Sequence, residues 1–455
     1  MEVGISAIEF YWPTRFVSQK ALESADGVKG KYTDGLGQEE MVFTSWREDA
    51  VSMALTVTQR LIQRNNIHSK DIGRIEVGTE SIIDHSKSIK THLLSLFGGS
   101  CHAEGVDCVN ACFGGTQALF NAVDYVHVHE KNAIVVCTDI AVYEEKAARP
   151  TGGCGAIAML ITKNAPLVVE NHRVSYSENQ YDFFKPFLNS EYPKVESNSQ
   201  QCYLKAVDNC AHQLLQELNE NNINNTIHLL LHNNFDYLIF HTPFVRMIRK
   251  AFTRILLQER KYVKELNTTR KEKYEIKIPF PDFVKYDELL DENEDLEQKE
   301  NKDKKQHFLQ LQKDLLNDSN LLFDKYVGPS TNLPRIIGNS YTSSIFIALC
   351  SLLHSFIVIN QKEQQQGQKE KIEHEQEREY KVYEEIAQKM NRKRILCFSY
   401  GSGFVSALWI IRVAYQPSSS STHFTLNNIL QSLDQNLNYI INGKIEQNIE
   451  EYERV

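Results

Sequence analysis

Short runs of strand-forming residues recur along this chain and alternate with segments of helical periodicity. Gly73 to Thr79, Ala133 to Asp139, Gly155 to Thr162 and Asp236 to His241 are four such runs. Strands that alternate with helices specify an α/β architecture. Near the end, Arg394 to Tyr400 and Phe404 to Val413 flank Gly401-Ser402-Gly403, the pattern of a hairpin closed by a glycine turn. With 455 residues, 42% of them apolar, the chain can bury one large core or two smaller ones.

The formal net charge of -9 exerts no general pull on nucleic acid or anionic lipid, so an anionic ligand must be met by a local basic cluster. The N-terminal Met-Glu-Val-Gly-Ile-Ser-Ala-Ile-Glu-Phe enters a strand-like run without the features of a leader, which gives a cytoplasmic expectation. The most apolar run, Ile345 to Ile359, contains His354 and is short for a membrane span of roughly 20 residues, so a buried helix is expected. The nine cysteines (101, 108, 112, 137, 154, 202, 210, 350 and 397) show no CxxC pairing and read as reduced thiols. Two charged stretches, 287–306 and 361–381, cannot bury enough apolar surface to offset their ordering entropy and read as solvated helices or insertions.

Four segments are candidates for chemistry. Asn110-Ala111-Cys112-Phe113-Gly114-Gly115-Thr116 leads into a helical pattern, Gln117 to Val123. A cysteine entering a helix feels the positive end of the dipole, which lowers its thiol pKa; a structural cysteine at a strand-to-helix junction fits the bare pattern equally well. Glu80 follows a strand-like run, where partial desolvation would raise its pKa toward the useful range, although a capping role is common there. His241 closes the run Tyr237 to Phe240, and Pro243 follows at the opening of a helix that brings Arg246, Arg249 and Lys250 to its first turns. That basic cluster suits a nucleotide phosphate or a solvated helix face. Asn339, within Gly338-Asn-Ser-Tyr-Thr-Ser-Ser344, suits either a substrate carbonyl or a helix cap.

Taken in order, these segments resemble hydroxymethylglutaryl-CoA synthases. The resemblance runs through Glu9-Phe-Tyr-Trp-Pro13, Gly30 to Thr33, Gly35 to Gln38, Gly73 to Lys90, the Cys112 motif and Asp139-Ile-Ala-Val-Tyr143. It continues through Arg149 to Gly153, Tyr181 to Pro186, Ser190 to Pro193, Gln201 to Tyr203 and Phe398 to Phe404. It implies a thiolase-like α/β fold of two similar halves in a layered α-β-α-β-α core. Residues 1–170 would carry Glu80 and Cys112, and 171–455 would carry His241, Asn339 and Ser402. By the same resemblance Cys112 takes an acetyl group from acetyl-CoA, Glu80 promotes loss of a methyl proton, and His241 positions acetoacetyl-CoA. Backbone N–H groups near Cys112 and Ser402 would form the oxyanion hole, with Asn339 and Tyr341 lining the pocket. Lys29, Thr151, Ser199, Arg246 and Lys250 match positions that hold the CoA substrate or product. The product would be 3-hydroxy-3-methylglutaryl-CoA for the mevalonate, isoprenoid and sterol route, made by a homodimer with no cofactor, metal or membrane partner.

The chain departs from the family pattern at several points. Phe113 replaces a tyrosine, Ala147 an asparagine, Phe187 an aspartate and Arg246 a lysine, and the segment Val28-Lys29-Gly30 is one residue short. Two rival readings remain at this stage. A β-ketoacyl or polyketide synthase would use Cys112, His241 and Asn339 but would not need Glu80, because decarboxylation supplies its carbanion. A non-catalytic paralogue would use the charged insertions as partner contacts.

Overall fold

The computed structural model describes residues 2–185, 192–220, 229–230, 234–270, 283–290, 302–366, 375–415 and 424–454. Phe187, Pro186, Ser190 and Glu191, and the middle of both charged stretches at 291–301 and 367–374, lie outside the described residues. Nine strands form one mixed sheet. They are β1 (Val3–Tyr11), β2 (Ile72–Gly78), β3 (Asp107–Cys108), β4 (Asn132–Ala141), β5 (Gly153–Lys163), β6 (Leu167–Ser177), β7 (Tyr237–Phe240), β8 (Arg394–Gly401) and β9 (Val405–Val413). Their order across the sheet is β7-β8-β9-β6-β1-β5-β4-β2-β3. Each of the strands expected from the sequence is present, and the hairpin turns at Gly403 with φ of 102°.

One pairing pattern occurs twice in this sheet. β1 runs antiparallel to β5, β5 antiparallel to β4, and β4 parallel to β2. In the second copy β6 runs antiparallel to β9, β9 antiparallel to β8, and β8 parallel to β7. The copies join where Gly4 and Ile5 of β1 pair with Val168 and Leu167 of β6. Gly4 is required there, since a Cβ would lie 2.0 Å from the Leu167 carbonyl oxygen.

Helices repeat as well. In the first copy α1 (Ala50–Arg64) precedes β2 and α2 (Gly114–His129) precedes β4; in the second, α3 (Ser199–Glu220) precedes β7. Helix α4 (Val245–Arg270) follows β7, and α5 (Ser344–Gln366) is the buried helix ahead of β8. Helix α2 buries Ala118, Leu119, Ala122, Val123 and Val126 and leaves a solvent stripe at Gln117, Asp124 and Val128. Helix α5 is long and apolar enough to cross a bilayer by composition, yet 78% of its apolar window is buried within the protein. It is a core helix, as its sequence led us to expect. A further helix, α6 (Leu426–Asn442), is fastened to β1 by the buried Glu9 carboxylate, which accepts from Arg64 Nη1 at 2.9 Å, Ser432 Oγ at 2.6 Å and Asn436 Nδ2 at 2.7 Å. All nine cysteines are free thiols.

The parallel strands β2, β3 and β4, and β7 with β8, present their carboxyl ends where the two copies meet. The fit there is close. A Cβ on Gly78 would lie 2.4 Å from Gly115 Cα, and one on Gly115 would lie 2.5 Å from the Thr342 carbonyl oxygen. Because that contact is backbone on both sides, no rotamer change can relieve it. Gly115→Ala is expected to cost at least about 1–3 kcal/mol, the usual range for overpacking. A urea melt that left the midpoint unchanged would contradict the packing described.

Candidate active site

Four of the strand ends deliver a functional side chain within a few residues. Glu80 follows β2, Cys112 follows β3, His241 follows β7 and Ser402 follows β8. Placement beyond the carboxyl ends of parallel strands is the general location of ligand sites in α/β sheets. Cys112 is raised on a turn whose preceding residue, Ala111, takes a positive φ of 44°. Such a conformation costs a non-glycine residue of order 1–3 kcal/mol, and the surrounding packing must hold it.

The Cys112 thiol donates to Glu80 Oε1 at 3.3 Å. Burial, reinforced by the nearby Asp139 carboxylate, pushes Glu80 up to about 8, while Lys185 and the Cys112 thiol pull the other way. This direction matches the sequence expectation. The Cys112 expectation is reversed. Burial first, and then the Glu80 carboxylate, push its thiol well above the ordinary value. Any help from the start of α2 is outweighed by the desolvated setting and a neighbouring acid.

Asp139, at the end of β4, holds the Glu80 loop. Its Oδ1 accepts from the Glu80 N–H at 2.8 Å, Ser81 Oγ at 2.9 Å and Thr79 Oγ1 at 3.1 Å. Its Oδ2 accepts from the Thr342 N–H at 3.0 Å and from the Thr342 hydroxyl. His241 is buried, its backbone N–H donates to the Phe398 carbonyl at 2.8 Å, and its carbonyl accepts from Tyr203 OH at 2.6 Å. Burial holds the imidazole down to about 3, so it is neutral at physiological pH, and its buried Nδ1 has no hydrogen-bond partner among the described residues. Cys112, His241, Asn339, Tyr341 and Ser402 all line one cavity of about 360 Å³, together with Tyr143, Thr151, Ser199 and Tyr203. A half-buried thiol–carboxylate pair whose thiol lines a cavity with a neutral imidazole, the Glu80 carboxylate standing behind it, can support acyl transfer to sulfur and proton abstraction beside a thioester.

Residues 1–166 match the family described as hydroxymethylglutaryl-coenzyme A synthase N terminal, and 167–368 match its C terminal counterpart. The chain belongs to the hydroxymethylglutaryl-CoA synthase family. It is 36% identical over 431 residues to the cytoplasmic hydroxymethylglutaryl-CoA synthase of Homo sapiens, covering 92% of this chain and 73% of that protein. With the mitochondrial enzyme of Homo sapiens it shares 38% identity over 431 residues, covering 92% and 75%. Among solved structures, MvaS in complex with 3-hydroxy-3-methylglutaryl coenzyme A superposes with a TM-score of 0.74 at 26% identity, covering 100% of this chain and 91% of that one. The fold is therefore the thiolase-like α/β fold of the synthases.

Against that family background the remaining sequence candidates divide. Thr151, Ser199, Asn339, Tyr341 and Ser402 line the cavity, and so does Ala147, one of the departures from the family pattern. Asn339 also shapes its own loop, Oδ1 accepting from the Tyr341 N–H at 3.0 Å. Lys29, Arg246 and Lys250 do not line the cavity. Lys29 is exposed on a turn, and Lys250 donates to Gln200 Oε1, a cavity residue, at 2.9 Å. Arg249 is a structural cation, bonded to Asn320 Oδ1 at 2.5 Å and placed 4.5 Å from the Phe323 ring centroid. Sequence reasoning missed Asp139 and Lys185 as site residues, although both stand in segments that carried the resemblance. The only available signal was their charge at the end of an apolar run.

A stability test follows from Glu80. Its folded pKa of about 8 lies above the ordinary carboxyl value of 4.5, so the native state holds this proton more tightly. The stabilisation is complete below the unfolded value and is lost as pH rises through about 8, at up to about 1.4 kcal/mol per pH unit within that window. Glu80→Gln should therefore melt close to the wild type at pH 5 and several degrees above it at pH 8.5. Parallel melting curves across that range would refute the buried carboxyl.

Proposed function

We propose that the protein condenses acetyl-CoA with acetoacetyl-CoA and water to give 3-hydroxy-3-methylglutaryl-CoA and CoA, through an acetyl thioester on Cys112. The observation that carries the roles is the 3.3 Å contact between the Cys112 thiol and Glu80. Glu80 as carboxylate receives the thiol proton as sulfur attacks the acetyl-CoA carbonyl, and the proton then leaves with the departing CoA thiol. The carboxylate next removes a proton from the acetyl methyl, and the resulting enolate attacks C3 of acetoacetyl-CoA. The C3 alkoxide takes a proton back, and water releases the product from sulfur. His241, neutral and with Nδ1 unpaired, polarises the acetoacetyl carbonyl. Backbone N–H groups of Cys112 and Ser402 stabilise the oxyanions, and Asn339 and Tyr341 shape the pocket about them. Thr151 and Ser199 contact the CoA thioesters in the cavity, while Lys29, Arg246 and Lys250 meet the nucleotide beyond it.

The same reading makes the protein a homodimer that needs no cofactor and works in the cytoplasm, supplying isoprenoid synthesis. The cytoplasmic human relative supports that placement, although a mitochondrial relative matches as well. A decarboxylating condensing enzyme is disfavoured by the direct Glu80–Cys112 contact, since such chemistry needs no general base.

Mass spectrometry of the intact protein after acetyl-CoA should show one acetyl adduct, absent from Cys112→Ser, and CoA release with both substrates should fall at least about 10³-fold in that variant. Since Glu80 must be ionised to act as base, kcat/KM should climb toward a plateau above pH 8, and Glu80→Ala should abolish condensation. Equal rates for Cys112→Ser, or turnover of malonyl thioesters by Glu80→Ala, would sink this mechanism.

A further inference from the structure

The short helix Gln19–Asp26 turns a polar face inward. Gln19, Glu23 and Asp26 share that face, being one helical turn apart in succession, and Gln19 and Glu23 are buried. Two of the three tie the helix to the cavity wall. Gln19 Nε2 donates to the Pro150 carbonyl at 2.8 Å, and Asp26 Oδ1 accepts from Arg149 Nη2 at 2.9 Å, immediately ahead of Thr151. Arg149 is fixed from its other side as well, Nη1 donating to Glu453 Oε1 at 2.9 Å. Glu23 grips the chain that follows the helix. Its Oε1 accepts from the Tyr32 N–H at 2.8 Å, the Thr33 N–H at 2.7 Å and the Thr33 hydroxyl at 2.9 Å. Three donors on one buried carboxylate oxygen make a charge-assisted clamp, and losing the oxygen deprives both backbone N–H groups of their acceptor. Between the helix and that clamp lies a turn closed by the Lys31 N–H on the Val28 carbonyl at 3.0 Å, with Gly30 at a φ of 75° in its third position and Lys29 on its exposed corner. Beyond the clamp Leu36 lines the cavity, and Gln38 Oε1 accepts from the Val245 N–H at 3.1 Å, at the start of the helix α4 that carries Arg246 and Lys250.

We propose that Glu23 is a positioning residue for the nucleotide end of the CoA thioesters: by clamping Tyr32 and Thr33 it sets where the Lys29 turn stands relative to the Thr151 wall, to which the same helix is tied. The inference rests on the roles given above to Lys29 and Thr151. It adds that the span from nucleotide to thioester is measured by one rigid element. A CoA thioester carries its phosphates at one end of a flexible pantetheine arm and the reacting carbonyl at the other, so a cation for the phosphates helps binding in the cavity only if its distance from the cavity matches the arm. The turn that bears Lys29 is a residue shorter than the family pattern, which leaves it little slack and makes its place depend on the clamp. Glu23 itself does not line the cavity. Loss of the clamp lets Lys29 shift while Glu80, Cys112 and His241 keep their places.

Two acetyl donors separate this role from a merely structural one: acetyl-CoA, and acetyl-pantetheine, which lacks the nucleotide. Formation of the acetyl-enzyme from each is followed by rapid quench and intact mass. In Glu23→Ala, kcat/KM for acetyl-CoA should fall roughly 10- to 30-fold, chiefly through KM, while the value for acetyl-pantetheine stays within about threefold of the wild type. Glu23→Gln keeps an acceptor oxygen at the same reach and should recover most of that loss. Adding Lys29→Ala to Glu23→Ala should cost less than about a further twofold, because the cation is already out of place. A loss shared equally by both donors, no loss with either, or the full cost of Lys29→Ala on top of Glu23→Ala would overturn the proposal. Should Glu23→Ala fail to fold, Glu23→Asp keeps the charge, shortens the arm by one methylene, and is read by the same ratio of donors. Lys29→Ala alone that left acetyl-CoA unaffected would instead defeat the parent reading of Lys29, which separates the two failures.

Discussion

One buried carboxylate ties the two halves of the molecule together at the point where chemistry is done. Asp139 is inaccessible to solvent, and an ionised group there survives only if its lone pairs are filled. They are filled from both sides. Thr79, Glu80 and Ser81 donate from the loop after β2, and the Thr342 backbone and hydroxyl donate from the turn that opens α5. The Thr342 hydroxyl also lies 2.9 Å from the Gly78 carbonyl oxygen, within the close contact that Gly78 and Gly115 make possible. The base and the second-half cavity wall therefore share one anchor.

The same device delivers the site from each half. Ala111 and Tyr341 both take a positive φ, of 44° and 47°, and each stands three positions ahead of its buried helix, α2 at Gly114 and α5 at Ser344. In the first half the strained turn raises a nucleophile. In the second it presents Tyr341 to the cavity, and Thr342 to Asp139. The pairing order of the strands repeats with it, so the strain belongs to the shared plan of the halves rather than to the cysteine alone.

Strands that end in Glu80 and His241 were legible because buried strands leave continuous apolar runs, and the residue at the end of such a run is conspicuous. The turn at Gly401 to Gly403 was legible for the same kind of reason, glycines between two runs. What could not be read was environment. The dipole of α2 is visible in the sequence as a helix start after Cys112, whereas desolvation and a neighbouring acid depend on chain segments thirty residues or more away. The thiol shift therefore came out with the opposite sign. Asp139 was overlooked because a carboxylate that binds backbone N–H groups looks, in sequence, like any carboxylate at the edge of a strand. The basic cluster on α4 showed the reverse limit: its cations were visible, but Arg249 turned out to be bound to Asn320 and stacked on Phe323.

A carboxyl held up to about 8 is well matched to the task proposed for it. At pH 7 such a group is ionised in only about a tenth of molecules, a tenfold loss relative to an ordinary carboxylate. The α-proton of a thioester is a far weaker acid than any carboxylic acid, however, so basicity limits the step. If proton transfer is about half complete at the transition state, a rise from 4.5 to about 8 strengthens the base by roughly fiftyfold. The gain exceeds the loss. It is obtained by burial, which also removes water that would compete for the enolate, and Lys185 limits how far the shift can run before the ionised fraction becomes too small. His241, kept neutral by the same burial, can then act beside the developing charge without adding a fixed cation that would suppress the basicity of Glu80.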